Sequence, residues 1–330
     1  MSMKIFKKML MLLAVLMMVV TPFAAITADT TSSSSSTDTA KTTDDSLKKV
    51  KEKGTLVVGL SADYPPYEFT TKQDGKTEYV GIDIQIAKKL AKDLGVKLVI
   101  KNMNFDSLLV ALETGKIDTI ISAMNPTEER RKSVDFSNIY YSGGKYIVIN
   151  KKDKSKYTSK ESFKGQTVGA QNGTLEYNLI KQQFPGATVK GLAKLNNLII
   201  ALQSGKVSGV LMEEPTAKAY VQNNPNLYAY NSKVSVDVNE TGAAMAFPKG
   251  ATALTQAANK TIADIKKQDL LDKEYVPEAA KYMKQSSKNN TMASYWTYFA
   301  KGIEYTLIIT VVSVLIGFVL GIILALMRLG

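Results

Sequence analysis

The chain has 330 residues, which is enough for two domains of ordinary size. It contains no cysteine and no histidine, which excludes disulfide bonds, thiolate nucleophiles, Cys/His zinc sites and histidine-based catalytic triads. Lys and Arg total 42 against 30 Asp and Glu, a net charge of +12. We expect a solvated basic exterior and no nucleic-acid partner, because no dense basic run in the central region is interleaved with aromatic residues.

The N-terminus has the layout of a secretory signal peptide, predicted at residues 1–28. Lysines without an acid precede an apolar run at 10–20, and small residues follow as far as Ala28. This run is short for a membrane span, so we expect cleavage near Ala28, with a retained anchor as the alternative. Residues 29–46 consist mainly of Ser, Thr and Asp and predict a disordered linker.

A pattern of helix, glycine and strand occurs twice in the central region. The apolar spacing from Leu108 to Gly115 returns at Leu198 to Gly205, and each copy leads into an apolar strand, at 118–124 and 208–212. Together with a helix at 81–94, this alternation predicts two α/β lobes on mostly parallel sheets, with a ligand site in the crevice between them.

We expect lobe 1 to comprise residues 47–145 and 244–286, and lobe 2 to comprise residues 146–243. The chain would then pass between the lobes twice, through crossovers at 146–151 and 239–247. Two extended crossovers can serve as a hinge that closes the lobes on a ligand.

The C-terminal part predicts one transmembrane helix at residues 307–327, a stretch of 21 uncharged residues. At about 1.5 Å per residue it covers the roughly 30 Å hydrocarbon layer. Residues 287–306 predict a linker and an interfacial aromatic segment, and Arg328 suggests a cytoplasmic end. We interpret the stop at Gly330 as a truncation, with a natural end as the alternative.

Several short motifs follow one another in a fixed order. They are Leu56-Val57-Val58-Gly59, Tyr64-Pro65-Pro66-Tyr67-Glu68-Phe69, Gly81-Ile82-Asp83-Ile84, Ile121 to Arg130, Val134-Asp135-Phe136-Ser137, Gly169 to Tyr177, and Met212-Glu213-Glu214-Pro215. Over residues 47–283 these motifs resemble the polar amino-acid substrate-binding proteins of ABC importers, the bacterial extracellular solute-binding proteins of family 3. The resemblance implies a two-lobed, periplasmic-binding-protein-like (type II) α/β fold that binds an amino acid and is not an enzyme, with no catalytic residue, metal or cofactor.

A free amino acid carries two charges, and burying either without a partner is costly. Arg130 offers a planar guanidinium that can hold a carboxylate through two hydrogen bonds, and a helix capped by Asn125 would add backbone donors. Glu213, at the end of a lobe 2 strand, is the expected partner of the ammonium, with Glu214 as the competing residue. The family most often has Asp here, so this chain carries the longer acid.

The resemblance places further residues at the cleft: Ser61, Tyr64, Phe105, Ser122, Gln171, Thr174 and Leu175. The two aromatic residues stand where relatives stack rings on the ligand, with core packing as the alternative. Ser61 and Gln171 favour a polar, neutral ligand side chain, although Asp63 and Glu68 are close enough in sequence to face the cleft as well.

The tail from 295 to 328 resembles the first transmembrane helix of an amino-acid ABC permease. The resemblance implies a binding domain on the extracytoplasmic side of the cell membrane, permease helices beyond this chain, and a cytoplasmic ATPase as partner. The alternatives are a ligand-gated receptor or channel subunit, although no pore segment interrupts lobe 2, and a secreted dehydratase with Glu213 as its general acid.

Overall fold

The computed structural model describes residues 44–73, 76–288 and 296–329. The predicted signal peptide and most of the predicted linker lie outside these residues. The described chain forms two α/β lobes, each built on a five-stranded sheet, and a long C-terminal helix.

The first segment of lobe 1 carries most of its strands. Its elements are α1 (Ser46–Lys53), β1 (Thr55–Leu60), β2 (Asp63–Tyr64), β3 (Glu68–Gln73), β4 (Lys76–Val80), α2 (Ile82–Leu94), β5 (Lys97–Asn102), α3 (Leu108–Glu113), β6 (Thr119–Ile120), α4 (Glu128–Ser133) and β7 (Val134–Phe136).

Lobe 2 follows without interruption, and the chain then returns to lobe 1. The elements of lobe 2 are β8 (Lys145–Asn150), β9 (Thr167–Gln171), α5 (Leu175–Gln183), β10 (Thr188–Leu192), α6 (Leu195–Gln203), β11 (Gly209–Glu213), α7 (Glu214–Asn223) and β12 (Leu227–Asn231). The remaining elements are β13 (Ala246–Pro248), α8 (Thr252–Gln268), α9 (Val276–Lys288) and α10 (Trp296–Leu329).

The two large sheets share one plan. Their strand orders are β5-β1-β6-β13-β7 and β10-β9-β11-β8-β12, and a small sheet β2-β3-β4 extends lobe 1. Each large sheet has two parallel and two antiparallel pairings, whereas we predicted mostly parallel sheets. The antiparallel pairings belong to β8 and β13, because each of these strands enters its sheet directly from the other lobe.

Helix α2 shows why the apolar pattern builds lobe 1. Ile82, Ile86, Leu90 and Leu94 recur at four-residue intervals, lie on one face of the helix and are buried in the lobe 1 core. Gly95 ends the helix in a left-handed conformation, with φ of +72°.

Two predicted strand boundaries near the crevice need correction. Strand β6 covers only Thr119–Ile120, and not 118–124, because the backbone turns at Ala123, which has a left-handed φ of +43°. Strand β11 ends one residue later than predicted, at Glu213, so this acid lies at the strand terminus.

The crossovers lie earlier in the chain than we predicted. Residues 145–150 pair with β11 and β12 as strand β8, so the first crossover is the segment 137–144. The return runs through 232–245, since β13 begins at Ala246. An isolated antiparallel bridge between Tyr141 and Ala243 joins the two crossovers.

Helix α10 includes the predicted transmembrane stretch. Within the described residues it is the single helix long and apolar enough to cross a membrane, from Trp296 to Arg328, and its most apolar stretch is exposed. The residues predicted as linker are helical where they are described, as the end of α9 and the start of α10. The membrane span itself stays a prediction.

Candidate functional site

A small cavity lies between the lobes. Lobe 1 lines it with Ser61, Tyr64, Glu68, Phe105, Ser122, Ala123 and Asn125, and lobe 2 lines it with Gln171, Thr174, Glu176 and Glu213. Eight of the ten residues predicted for ligand binding are in this lining, and the exceptions are Arg130 and Leu175. The crevice expected from the strand pattern is therefore where most of the predicted residues meet.

Arg130 lies next to the cavity on the short helix α4. Its guanidinium donates to the backbone oxygen of Asn125 at 2.6 Å and to that of Gly173, in lobe 2, at 2.8 Å. The group also lies over the ring of Phe105, 5.5 Å from the ring centre. Burial lowers the pKa of Arg130 to about 10, so it remains charged at neutral pH.

The start of α4 differs from the prediction at Asn125. The helix begins at Glu128, and the Thr127 hydroxyl caps it by accepting from the Arg130 backbone N–H at 3.3 Å. Asn125 lies in the loop before the helix, and its side chain has other partners.

Asn125 connects the two predicted charge partners. Its side-chain amide donates to Glu213 Oε1 at 3.0 Å and to the Gly242 carbonyl at 2.9 Å, while its backbone oxygen accepts from Arg130. Arg130 of lobe 1 and Glu213 of lobe 2 thus converge on one buried residue at the cavity.

Glu213 belongs to a buried ionic cluster that the sequence reasoning missed. Lys145 Nζ lies 2.5 Å from Glu213 Oε1, 2.7 Å from Glu176 Oε1 and 3.3 Å from Asn125 Oδ1. Burial raises the pKa of Glu213, while the Lys145 charge opposes that change. Burial disfavours the charge on Lys145, but the two carboxylates outweigh it and raise the pKa of the lysine.

Glu214, the competing acid, faces away from this cluster. Its carboxylate pairs with Lys218 at 2.5 Å and accepts from the Gly144 backbone N–H at 3.2 Å. Glu213 is therefore the acid of this pair that the structure places at the cavity.

A second pair of acids lies at the lobe 1 side of the cavity. Glu68 Oε1 accepts from the Ser122 hydroxyl at 2.5 Å, and Asp83 Oδ2 accepts from the Ala123 backbone N–H and from the Tyr140 hydroxyl. Burial raises the pKa of Asp83 to about 6, and burial together with the neighbouring Asp83 raises that of Glu68 well above its usual value. Burial thus disfavours two negative charges side by side in this pair.

The residues expected to read the ligand side chain are held by neighbouring groups. The Ser61 hydroxyl donates to Asp63 Oδ1 at 2.8 Å, and Asp63 Oδ2 accepts from the Leu195 backbone N–H at 2.7 Å. The Gln171 amide donates to the Ala193 carbonyl at 3.1 Å. Asp63 thus faces the junction of the lobes, beside the cavity.

The two predicted residues at the start of α5 have different surroundings. Thr174 lines the cavity and caps the helix, its hydroxyl accepting from the Tyr177 backbone N–H at 3.4 Å. Leu175 packs into the apolar core of lobe 2, so its side chain is not brought to the cavity.

The lobes, the crossovers and the interlobe site define a two-lobed binding protein of the periplasmic type. Residues 56–278 match the family model of bacterial extracellular solute-binding proteins, family 3, and the chain belongs to this family. Both the fold class and the family expected from the motifs are confirmed.

The relatives are binding proteins for amino acids. The arginine-binding extracellular protein ArtP of Bacillus subtilis is 33% identical over 223 residues, which cover 67% of this chain and 84% of ArtP. The L-cystine-binding protein TcyJ of Escherichia coli is 31% identical over 225 residues, 68% of this chain and 82% of TcyJ.

Solved structures match the same region. A substrate-binding protein of an amino-acid ABC transporter from Streptococcus pneumoniae, bound to L-arginine, is 34% identical with a TM-score of 0.69. The match covers 72% of this chain and 98% of that structure. The ancestral amino-acid-binding protein AncCDT-1, a precursor of cyclohexadienyl dehydratase, is 31% identical with a TM-score of 0.64, covering 70% of this chain and 98% of that structure.

Proposed function

We propose that this chain binds a free amino acid outside the cytoplasm and delivers it to an ABC permease for import. One observation carries the proposal: Arg130 and Glu213 come from different lobes and meet through Asn125 beside one cavity. A guanidinium on one side and a carboxylate on the other complement the two charges of an amino acid. Closure of the lobes on the ligand follows from contacts that need both lobes.

We further propose that the bound amino acid has a cationic side chain, with arginine as the first candidate. The expectation of a neutral side chain is based on Ser61 and Gln171 and not on Glu68 and Glu176, which also line the cavity. The acids at the site, Glu68, Asp83, Glu176 and Glu213, outnumber its cations, Lys145 and Arg130, which leaves an excess of negative charge. A cationic side chain neutralises that charge, and the names of ArtP and of the Streptococcus pneumoniae structure are consistent with it.

A thermal-shift screen of the twenty amino acids with the purified full chain in detergent tests binding. A ligand that binds the native state raises its stability by RT ln(1 + [L]/Kd), about 2.7 kcal/mol at 100 Kd. We expect arginine and lysine to raise the melting temperature most. A screen in which no amino acid raises it would refute the proposal, and a larger effect of glutamine than of arginine would restore the neutral side chain.

Delivery to a permease is supported by the family and by the apolar helix α10. Deletion of the gene should lower cellular uptake of the amino acid identified in the screen, and the intact gene, but not a Glu213→Gln version, should restore it. Unchanged uptake in the deletion strain would argue against transport. The bound amino acid should also be recovered unaltered. A dehydrated product would favour the dehydratase alternative, which is considered because of the similarity to AncCDT-1.

A further inference from the structure

Lys145 is a buried cation that has no part in the proposed contacts of Arg130 and Glu213 with the ligand charges. It is the first residue of β8 and follows directly on the first crossover. Its side chain is 3% exposed, and Nζ is held by Glu176, Glu213 and Asn125. These contacts come from α5, from β11 and from the other lobe, so Lys145 lies where all three meet.

Lys145 contacts only one of the two carboxylate oxygens of Glu213. It pairs with Oε1 of Glu213, which also accepts from Asn125. Oε2 of Glu213 is buried and has no hydrogen-bond partner among the residues that the structure describes. A buried carboxylate oxygen without a donor is costly, and the Glu213 side chain lines the cavity, so this oxygen is the one suited to the ligand ammonium.

We infer that Lys145 is a positioning residue that sets the ligand charge that the cleft accepts. It fixes Glu213 with one oxygen available to the ligand, and it balances the charge of Glu176. This inference rests on the proposed binding of an amino acid and adds the residue that decides between cationic and neutral side chains.

The physical basis is charge balance in a closed, weakly screened site. Charges that are removed from water interact over several ångströms much more strongly than charges on the surface. Without the Lys145 charge the site holds one more net negative charge and favours a cationic ligand over a neutral one of the same shape. Without the Glu176 charge the preference moves in the opposite direction.

Arginine and citrulline are the matched ligands for the test, since they have the same length and differ in the charge of the terminal group. Calorimetry on the full chain in detergent measures both affinities for the parent, Lys145→Gln, Glu176→Gln and the double variant. We expect the arginine-to-citrulline affinity ratio to rise about tenfold in Lys145→Gln and to fall about tenfold in Glu176→Gln. In the double variant, where the charge is balanced again, we expect a ratio within about threefold of the parent.

Lys218→Gln is the matched control, because it removes a lysine from an ion pair on the surface of the same lobe. It should leave the ratio unchanged. Lys145→Gln leaves two buried carboxylates unbalanced and is the variant most prone to misfolding, and in that case Glu176→Gln and the double variant decide.

The outcomes separate the two proposals. If the parent binds arginine and the variants weaken both ligands in parallel, Lys145 has only a structural role and the inference is overturned. A ratio that fails to return in the double variant also overturns it. If the parent binds no amino acid at all, the proposed function itself fails.

Discussion

The hydroxyl oxygen of Tyr64 in lobe 1 accepts a hydrogen bond from the backbone N–H of Glu213 in lobe 2, at 3.0 Å. Both residues are buried, and both line the interlobe cavity. Because the bond joins the two lobes, opening of the proposed hinge would break it. In the arrangement seen here it fixes the backbone of the acid proposed to receive the ligand ammonium.

Tyr64→Phe should weaken amino-acid binding about tenfold. The substitution leaves the Glu213 N–H buried without an acceptor in the closed state, which costs roughly 1–3 kcal/mol. Calorimetric titration measures the affinity. Tyr157→Phe is the control, since its hydroxyl bonds to Gln166 and Ser208 within lobe 2, and it should lower stability without lowering affinity. Equal affinities in parent and Tyr64→Phe would contradict this role.

Arg130→Ala should lower the affinity for the amino acid at least tenfold while the fold remains intact, because the charge proposed to hold the ligand carboxylate is lost. The neighbouring Arg131 is exposed, and Arg131→Ala supplies a matched control on the same helix. Calorimetry gives the affinities and circular dichroism checks the fold. The assignment fails if the two variants bind equally well.

The Glu68 and Asp83 pair predicts a pH dependence of stability. The folded-state pKa of Asp83 is raised from 3.8 to about 6, so the folded state holds its proton more tightly than the unfolded state. That stabilisation is fully present below about pH 4 and is lost as the pH rises through 6, amounting to roughly 3 kcal/mol. Relative to Asp83→Asn, the parent should lose stability across this range.

Differential scanning calorimetry from pH 4 to 7 measures the effect as the difference between parent and variant, since other titrating groups contribute to both curves. Glu113→Gln, which changes an exposed acid of lobe 1, should leave the curve unchanged. A parent curve parallel to that of Asp83→Asn would show that the pair does not titrate as the structure implies.

Gly242 predicts a sensitive point in the second crossover. Its φ is +97°, and a Cβ there would lie 2.6 Å from Ile139 Cγ2 and 2.9 Å from the Tyr141 carbonyl oxygen. Gly242→Ala should therefore destabilise the protein by about 2 kcal/mol or more and weaken ligand binding. Gly205 also has a positive φ, +74°, but a Cβ there would meet no atom within 4 Å. Gly205→Ala therefore measures the cost of the backbone conformation alone, about 1 kcal/mol. Equal melting temperatures for the two variants would count against a special role for the crossover.

Most of the predicted site residues do line the cavity, but the ionic cluster of Lys145, Glu176 and Glu213 was not predicted from the sequence. Repeated helix, glycine and strand patterns locate strand ends, and strand ends meet at the crevice. The motifs shared with the family then select residues such as Asn125 and Glu213 at these ends. Lys145 was missed because its residue type does not distinguish a buried lysine from the many exposed ones. Its position at the start of the apolar strand Lys145–Asn150 was the one available signal. Leu175 was assigned to the ligand because the motif fixes the backbone of its loop, whereas its side chain points into the core.

The order of strands within lobe 1 has a consequence for how the chain folds as it is made. Strand β13 lies between β6 and β7 in the sheet, yet it is synthesised after the whole of lobe 2. Lobe 2 is one continuous stretch, so its sheet can form as soon as β12 leaves the ribosome. Until β13 has been synthesised, the sheet of lobe 1 has a gap between β6 and β7. The half of the lobe that carries Arg130 is therefore completed last.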